Sequence, residues 1–259
     1  MHKTNYPTDL TDNQWSAIVQ FFDEKRKRKH SNREIFNAIL YLLKTGCQWR
    51  MLPKDFPKWQ LVYYYFNKWK NEGLIEYMHE CLRDQVRKKA GKDPSPSLGI
   101  IDSQSIKTTR SGGICTGYDG GKKIKGRKRH IIVDTMGLIL TVIVSAANIH
   151  DSQTAMEVIS SLRYRFVRMV KIVADGGYRG ELIEKVKTAF NWTLEIVLRK
   201  DSKSNFQVLP KRWIVERTFS WFESCRRLSK DYEFQTDTSE TMIQLAMIKI
   251  MLNRMKNEI

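Results

Sequence analysis

The sequence predicts two parts of different fold class, an all-α N-terminal domain over residues 1–90 and an α/β domain over residues 98–259. Apolar residues recur at helical spacing through the first part, whereas short runs rich in Val, Ile and Leu, typical of buried strands, begin only in the second. Residues 91–97 contain two prolines and two serines, and we place a linker there because such residues interrupt both helices and strands.

The composition favours a folded protein with a polyanionic partner. The chain has 259 residues, is 41% hydrophobic and carries a formal net charge of +17. A charge of this size favours nucleic acid, or an anionic membrane surface, over a neutral metabolite as the partner. No apolar run reaches the roughly 18 residues of a membrane-spanning helix, and the first ten residues lack the apolar stretch of a signal peptide. We therefore expect a cytoplasmic protein that does not bind membranes.

Four helices are predicted in the first domain. The first two begin at capping residues near Asp12 and Asn32, the third ends at Gly73 and the fourth ends near Lys89. Residues 57–70 are both aromatic and basic. This segment suits the recognition helix of a helix-turn-helix module in a DNA-binding domain, and it equally suits an aromatic core helix with a solvated lysine face. The sequence leaves both interpretations open.

The second domain is predicted to contain three strands, a helix, a strand, a helix, a strand and terminal helices. The strands are expected at 98–102, 130–134, 138–147, 170–175 and 194–198, and the helices at 152–166, at 181–190, around Glu216 and at 240–256. A helix between the third and fourth strands suits a crossover onto a parallel neighbour. This order matches a ribonuclease-H-like fold, a mixed sheet flanked by helices in which the first and fourth strands lie side by side.

Three acidic residues stand at the ends of predicted apolar elements. Asp102 and Asp175 end the first and fourth strands, and Glu216 lies at the edge of the apolar face of a helix. Each has an ordinary interpretation, because a strand-end aspartate often caps the next turn and Glu216 can pair with Arg212 at i,i+4. Together they favour a magnesium site, since Mg²⁺ binds carboxylate oxygens and substrate phosphates, and paired ions support in-line displacement at phosphorus.

A basic tract follows the glycine-rich loop at 111–121. It contains six cations and no acid, namely Lys122, Lys123, Lys125, Arg127, Lys128 and Arg129. The loop does not contain the glycine–lysine pattern of a nucleotide-binding P-loop. The tract is predicted either to hold the phosphates of double-stranded DNA without reading sequence, or to form a solvated loop.

Several stretches, taken in order, resemble a bacterial insertion-sequence DDE transposase of the insertion-sequence-four/five superfamily, most closely its five-type branch. They are IDSQS at 101–105, GRKRH at 126–130, ANIHD at 147–151, ADGGYRG at 174–180, RWIVERTF at 212–219 and RRLSKDYE at 226–233. The likeness covers nearly the whole chain, because Trp15 and residues 49–53 also resemble the helical leader domain of that family.

The resemblance implies a catalytic mechanism. It makes Asp102, Asp175 and Glu216 the catalytic residues that hold Mg²⁺, with two ions when DNA is bound and Mn²⁺ as a substitute. It implies cleavage of double-stranded DNA at the ends of the element and attack of the freed 3′-OH on target DNA, without a covalent protein–DNA intermediate. Because two ends must be brought together, it also implies a homodimer on DNA in the bacterial nucleoid.

The chain departs from the family signature Tyr-x2-Arg-x3-Glu-x6-Lys. Arg212 and Glu216 fit this signature, but Leu209 replaces the tyrosine and Glu223 replaces the lysine. Arg212 is expected to orient Glu216 or to contact a phosphate. A terminal-phosphate contact from the two replaced positions is in doubt, and an arginine about one turn later could substitute. The predicted phosphate contacts in this part of the chain are Arg179, Arg212, Arg217, Arg226 and Arg227.

Three further residues have open roles. His150 either packs beside Asp151, which would cap the following helix, or approaches the metal. Tyr178 and Trp213 could stack on an unpaired base near the cut, although Trp213 equally suits the core. Two alternative functions also remain: a nuclease of the same fold that cuts without joining, and a non-catalytic DNA-binding regulator derived from a transposase.

Overall fold

The chain is described by a computed structural model that covers residues 6–23, 29–110, 112–198 and 211–255. It packs as two compact units. The first comprises Met1–Lys92, Glu223–Ser229 and Thr241–Ile259, and the second comprises Asp93–Phe222 and Lys230–Glu240. The sequence prediction gave all of 98–259 to one domain, so the grouping of the two C-terminal segments with the first unit is a difference.

The first unit is helical, and its helices begin where the sequence predicts. They are α1 (Asp12–Ile18), α2 (Asn32–Thr45), α3 (Trp59–Asn71) and α4 (Leu74–Lys89), with 3₁₀ helices at Val19–Phe21 and Trp49–Met51. Thr11 and Ser31 form capping boxes with Gln14 and Glu34, which satisfy free backbone amides at the starts of α1 and α2. Gly73 separates α3 from α4 with a φ of +70°, a conformation that glycine adopts without strain.

Helix α3 presents two different faces. Its buried face carries Val62, Phe66 and Trp69, whereas Tyr63 and Tyr64 are exposed. The connection from the end of α2 to the start of α3 contains 13 residues, 46–58. A helix-turn-helix joins its two helices by a turn of about 3–4 residues, so α2 and α3 do not form that motif in its usual geometry.

The second unit contains a six-stranded mixed sheet. Its strands are β1 (Leu98–Lys107), β2 (Gly117–Asp119), β3 (Ile124–Val133), β4 (Ile139–Ala146), β5 (Lys171–Asp175) and β6 (Thr193–Val197). The helices that follow in the chain are α5 (Asp151–Ser160), α6 (Leu182–Phe190), α7 (Arg212–Glu223) and α8 (Thr236–Arg254). β1 is central: it pairs antiparallel with β3 and parallel with β5. β3 also pairs antiparallel with β4 and β2, and β5 pairs parallel with β6.

This topology confirms the predicted ribonuclease-H-like fold. Four strands, β1 to β4, come first and are joined by antiparallel pairs, and the short β2 among them is a strand that the sequence did not predict. The chain then crosses over through α5, and the next strand, β5, lies parallel beside β1. Apolar residues of α5 and α6 pack on one face of the sheet. They form a single buried cluster with residues of the strands, among them Ile101 of β1 and Ile172 of β5. The crossover therefore brings Asp102 beside the C-terminal end of β5, although Asp102 lies in the middle of β1 and does not end it as the sequence predicted.

Two strands are longer than the sequence predicts. β1 continues to Lys107 and β3 begins at Ile124, with paired residues from Ile100↔Val133 to Lys107↔Gly126. The basic tract is therefore largely a strand, which contradicts its interpretation as a solvated loop. The run of cations suggested a solvated loop because a sequence does not show that some of these side chains, such as Arg127 and Lys128, pair with acids inside the fold.

The last helix joins the two units in sequence. From Thr241 onward α8 belongs to the first unit, where Leu245, Ile248 and Leu252 are buried. Asn253 fixes it further, because its Oδ1 accepts a hydrogen bond from Gln14 Nε2 at 2.9 Å. Among the helices described, none has the length and apolar character to cross a membrane.

Candidate active site

The register of the parallel strands brings Asp102 and Asp175 together. β1 and β5 pair in parallel up to Ile100↔Val173, and each aspartate stands two residues beyond that pair on its own strand. Side chains alternate between the faces of a strand, so both aspartates project to the same face at corresponding positions. Their proximity also appears electrostatically, because the charge of Asp175 raises the pKa of Asp102.

Asp102 is a carboxylate in surroundings that oppose its charge. Burial is the main cause that raises its pKa to about 6, while a hydrogen bond from the Ser103 amide and the charge of Arg212 act in the opposite direction. The Ser103 N–H donates to Asp102 Oδ1 at 2.7 Å. A nearby cation would favour the ionised form of such a carboxylate.

Arg212 connects Asp175 to Glu216. Its Nη2 lies 3.2 Å from Asp175 Oδ2, and its Nε lies 3.6 Å from Glu216 Oε1. Both residues of the second pair are on α7 at i,i+4, and the Glu216 side chain is 55% exposed whereas that of Arg212 is 18% exposed. The i,i+4 ion pair between Arg212 and Glu216 is therefore present, and the same guanidinium also contacts Asp175.

The carboxylates are suitable for a divalent cation, but they do not form a complete three-residue cluster here. Across residues 6–23, 29–110, 112–198 and 211–255, no three His, Cys, Asp or Glu side chains are grouped closely enough to hold a metal ion. Mg²⁺ commonly binds one or two carboxylates and completes its shell with water and phosphate, so a pair such as Asp102 and Asp175 is compatible with this ion. Glu216 is paired with Arg212 instead.

His150 and Asp151 have different roles from those predicted. His150 itself is the N-cap of α5, because its Nδ1 accepts a hydrogen bond from the Ser152 N–H at 3.3 Å. Asp151 points elsewhere: its Oδ1 accepts a hydrogen bond from Ser103 Oγ at 2.8 Å and lies 3.1 Å from Lys128 Nζ. Burial tends to raise the pKa of Asp151, but these two hydrogen bonds outweigh it and keep the pKa below its ordinary value.

Sequence reasoning missed this second acidic group beside the site. Ser103 and Asp102 are neighbours on β1 and project to opposite faces, and Ser103 reaches Asp151 from the face that α5 covers. The alternation of β1 could have placed Ser103 opposite Asp102. It could not have identified Lys128 as the partner of Asp151, because that pairing depends on the register of β3.

The predicted DNA-contacting cations differ in exposure. Lys122, Lys123, Lys125, Arg179 and Arg226 are exposed, Arg212 and Arg217 are half-buried, and Arg127, Lys128, Arg129 and Arg227 are buried. The structure contradicts the prediction that the last four contact DNA, since their charged groups are directed into the protein. Lys128 pairs with Asp151, and Arg227 Nη1 donates to the Cys47 carbonyl at 3.2 Å.

Arg127 is the most thoroughly enclosed of these cations. It has no exposed surface, and its Nη1 lies 3.2 Å from Asp231 Oδ1. It also donates to the carbonyl oxygens of Ile114, Glu233 and Phe234. Arg129 is nearly as enclosed, and burial lowers its pKa to about 10 although the charge of Asp231 acts in the opposite direction. Both arginines hold the second unit together and do not form a DNA surface.

The two aromatic residues that were predicted to stack on a base differ in exposure. Tyr178 is 1% exposed within the core cluster, which contradicts a stacking role. Trp213 is 43% exposed, so the core alternative for it is wrong. The Arg217 guanidinium carbon lies 4.6 Å from the ring centroid of Trp213 and 4.8 Å from that of Trp221, which places a cation between two indoles on α7. Leu209 lies outside the described residues.

Comparison with known proteins identifies related sequences. Residues 93–251 match the family model "Transposase DDE domain", and residues 10–79 match a model described as "Putative transposase of IS4/5 family". The "Putative transposase for insertion sequence element IS402" of Burkholderia cepacia is 28% identical over 183 residues, which cover 67% of this chain and 86% of that protein. The "Insertion element IS402 uncharacterized 16.2 kDa protein" of the same organism is 26% identical over 117 residues, which cover 40% of this chain and 76% of that protein.

A solved structure is also similar, at a low level. The "Crystal structure of the Mos1 mariner paired end complex with Mn" aligns with 90% of this chain and 80% of that chain at 10% identity. Its TM-score of 0.26 is too low to establish a common fold. The sequence match over 93–251 spans more than half of the 259 residues and contains Asp102, Asp175 and Glu216. The chain therefore belongs to the DDE transposase family and is a DNA transposase, a polynucleotidyl transferase enzyme.

Proposed function

We propose that this transposase binds the ends of its own insertion sequence, cleaves DNA strands there in a divalent-metal-dependent reaction and transfers the freed 3′-OH to target DNA. The observation that carries this proposal is the juxtaposition of Asp102 and Asp175 at corresponding positions beyond the last paired residues of two parallel strands. Two half-buried carboxylates on neighbouring strands can bind a cation that also contacts a phosphate.

Asp102 and Asp175 are the proposed metal ligands, and Glu216 is proposed to complete the site when DNA is bound. The cation is proposed to be Mg²⁺, with two ions in the DNA complex and Mn²⁺ able to replace them. When bound, such ions activate the attacking oxygen and stabilise the leaving oxygen of an in-line displacement. The pKa of about 6 for Asp102 supports this assignment, because burial leaves its carboxylate in need of a positive partner.

Arg212 is proposed to exchange partners during DNA binding. In the structure its guanidinium contacts both Asp175 and Glu216. A DNA phosphate can accept two parallel hydrogen bonds from one guanidinium, whereas Arg212 makes single contacts of 3.2 and 3.6 Å with the two carboxylates. A phosphate that binds here would therefore draw Arg212 away and free Glu216 to face the site. Arg212 would in this way link DNA binding to completion of the carboxylate set.

Exposed cations are proposed to hold the DNA backbone. In the second unit these are Lys122, Lys123, Lys125 and Arg179, with half-buried Arg217 beside Trp213. Arg226 is the exposed arginine that remains as a substitute for the missing signature lysine, since Arg227 is buried. Such contacts supply affinity that is independent of base sequence and falls with added salt. Trp213, at 43% exposure, remains a candidate for stacking on a base.

The helical region up to residue 90 is proposed to bind DNA, with 91–97 as the linker to the catalytic domain. The exposed face of α3, which carries Tyr63 and Tyr64, is the proposed surface. Two element ends must be held at once, so a homodimer on DNA is the proposed active assembly. These activities place the protein with the nucleoid DNA in the bacterial cytoplasm.

The test is a cleavage assay on DNA that carries the ends of the element, with Asp102→Ala, Asp175→Ala and Glu216→Ala compared with wild type. Loss of a direct metal ligand should slow cleavage by more than about 100-fold, since even outer-shell partners of a metal site commonly cost about 10–100-fold. Glu223→Ala is the matched control, because Glu223 is an exposed glutamate on the same helix.

The outcomes separate this function from its alternatives. Cleavage by Asp102→Ala at the wild-type rate would refute the assignment of the metal site. Cut products without joined products would identify a nuclease that does not transfer strands. Binding that is strongly salt-dependent, without any cleavage in Mg²⁺ or Mn²⁺, would identify a DNA-binding regulator.

A further inference from the structure

The 3₁₀ turn Trp49–Met51 lies in the connection between α2 and α3. Two hydrogen bonds close it, from the Met51 N–H to the Gln48 carbonyl at 2.9 Å and from the Leu52 N–H to the Trp49 carbonyl at 3.3 Å. Residues 49–54 read WRMLPK, which combines apolar side chains with two cations. The turn is therefore a compact, hydrogen-bonded element that carries both kinds of side chain.

Aromatic side chains of α3 hold this turn in place. The ring of Trp49 contacts those of Tyr63 and Phe66, with centroids 5.1 and 5.2 Å away. Phe66 is fully buried, whereas Tyr63 is 42% exposed. The Arg50 guanidinium carbon lies 5.5 Å from the ring centroid of Trp59, the first residue of α3. The turn is thus anchored on the core at one side and continues the exposed face of α3 at the other.

Met51 is the apolar side chain on the outer side of the turn. It is 68% exposed, more than any other large apolar residue among the described residues of the first unit. Arg50 and Lys54 are exposed near it in sequence, and so is Lys58 just before α3. Among the described residues, no acidic side chain pairs with any of these three cations. The turn therefore presents an apolar tip together with positive charge that the fold itself does not neutralise.

Duplex DNA is the partner that matches this combination. Its phosphates line the rims of the minor groove, and the apolar faces of stacked bases lie between them. Proteins that bend DNA commonly insert an apolar side chain such as Met or Leu between base steps in this groove and place Arg or Lys beside it. A second copy of this chain fits less well, because a formal net charge of +17 makes two such cationic surfaces repel each other.

We propose that Met51 is a wedge that enters the minor groove of DNA and inserts between two stacked base pairs, while Arg50 and Lys54 bind neighbouring phosphates. The inference rests on the proposed binding of DNA by the helical region. It adds the mode of binding, since the duplex is kinked at the step that receives Met51. Sites whose base steps unstack easily are then favoured, without a hydrogen bond to any base edge.

The first test compares wild type with Met51→Ser, which keeps the charge of the turn and removes the apolar wedge. A duplex that carries one element end and a fluorophore at each terminus reports bending by energy transfer. Wild type should bend it by about 20–90°, and Met51→Ser should lose most of that bend. Met51→Leu should retain it, because leucine also acts as a wedge. Val167→Ser is the matched control, at an apolar residue of the second unit that is 86% exposed.

A base analogue identifies the step that is opened. 2-Aminopurine, placed singly at successive adenine positions, becomes brighter when it loses its stacking partner. One position should brighten with wild type and with Met51→Leu, but not with Met51→Ser. Arg50→Ala should instead lower the slope of log K against log salt by about 1. The melting temperatures of the Met51 variants should remain at the wild-type value, because this side chain is exposed.

Three results would overturn the wedge. They are a bend of wild-type size in Met51→Ser, a wild-type complex in which the duplex stays straight, and a brightening pattern that does not depend on residue 51. A change in the oligomeric state of DNA-free Met51→Ser, measured by sedimentation, would also count against it. The exposed methionine would then contact a second copy of the chain.

Bending and cleavage fail separately, so the wedge can be distinguished from the proposed function. If wild type bends DNA through Met51 but neither cuts nor joins it, the proposed reaction fails and the wedge stands. If wild type leaves the duplex straight while Tyr64→Ala weakens binding, the helical region binds DNA and only the wedge is refuted. If neither Tyr64→Ala nor Arg50→Ala changes binding, the proposed DNA surface of the helical region fails and the wedge fails with it.

Discussion

Two groups of charged side chains in the second unit differ in how their charges are balanced. The buried pair of Arg127 and Asp231 is 0% and 1% exposed, and further carbonyl oxygens around Arg127 accept its remaining N–H groups. At the site edge, in contrast, Arg212 is partly exposed and is shared between Asp175 and Glu216, while Asp102 has a raised pKa. Full compensation indicates a structural role, whereas the incomplete compensation around Asp102 is what the proposed cation site requires.

The basic tract at 122–129 contains cations of both kinds, exposed and buried. Its first three cations, Lys122, Lys123 and Lys125, are exposed, and its last three are buried against partners. Charge that is fully paired inside a protein contributes little to the field that attracts DNA, whereas exposed charge contributes directly. Variants in the two groups should therefore affect different measurements.

The largest expected effect is on stability, from Asp231→Asn. This change leaves the Arg127 guanidinium buried and uncompensated, which should lower the free energy of unfolding by about 3–5 kcal/mol. Urea denaturation followed by near-ultraviolet circular dichroism measures it. Glu223→Gln removes an exposed acid and should change the stability by less than about 0.5 kcal/mol. Equal effects of the two variants would contradict the distinction between the groups.

A fall in pH should lower the stability of the second unit, because the buried side chain of His130 is neutral in the folded protein. Burial lowers the pKa of this fully buried histidine from 6.5 to about 4, although Asp151 acts in the opposite direction and Lys128 adds to the lowering. As the pH falls, the unfolded chain takes up the proton first, so stability is lost between pH 6.5 and 4, by up to about 3 kcal/mol. Denaturation midpoints across this range should decline less steeply for His130→Gln than for wild type, and equal slopes would count against a neutral buried His130.

A smaller effect is expected at the site edge, from Arg212→Met. Loss of the competing guanidinium should raise the Mn²⁺ affinity of the DNA-free chain by about 2- to 5-fold, equivalent to the few tenths to 1 kcal/mol of a half-exposed ion pair. Cleavage should nevertheless slow, because the variant lacks the proposed phosphate contact. Isothermal titration with MnCl₂ measures the affinity, and Arg179→Met, at an exposed arginine, is the control. A decrease in affinity would show that Arg212 supports the metal site and does not compete with the ion.

The smallest expected effect is on non-specific DNA affinity, from Lys122→Ala and Lys125→Ala. Each removes one exposed cation and should reduce the slope of log K against log salt by about 1. Fluorescence anisotropy with a labelled duplex at several salt concentrations measures the slope. The stability of both variants should remain at the wild-type value. An unchanged slope in both would place the DNA on another surface.

Hydrophobic patterning predicted the parts of this fold that depend on neighbouring residues. The caps near Thr11 and Ser31 follow from local periodicity, and the placement of Asp102 beside Asp175 follows from one topological rule, that the first and fourth predicted strands lie side by side. The short strand β2 was not predicted. The patterning also did not predict that Arg127 pairs with Asp231, because that partner lies far along the chain and both residues look solvent-exposed by type. It also placed the cap of α5 one residue late, since an imidazole nitrogen replaced the expected carboxylate.

The long helix α8 determines when the first unit can finish folding. Residues from Thr241 onward supply buried side chains such as Leu245 and Ile248 to a unit whose helices α1 to α4 are synthesised well before them. Helices α1 to α4 therefore keep apolar surface exposed until the ribosome has synthesised this segment. A product terminated before Thr241 would retain every strand of the catalytic sheet and yet expose the interior of its leader helices, which makes such fragments targets for chaperones and proteases.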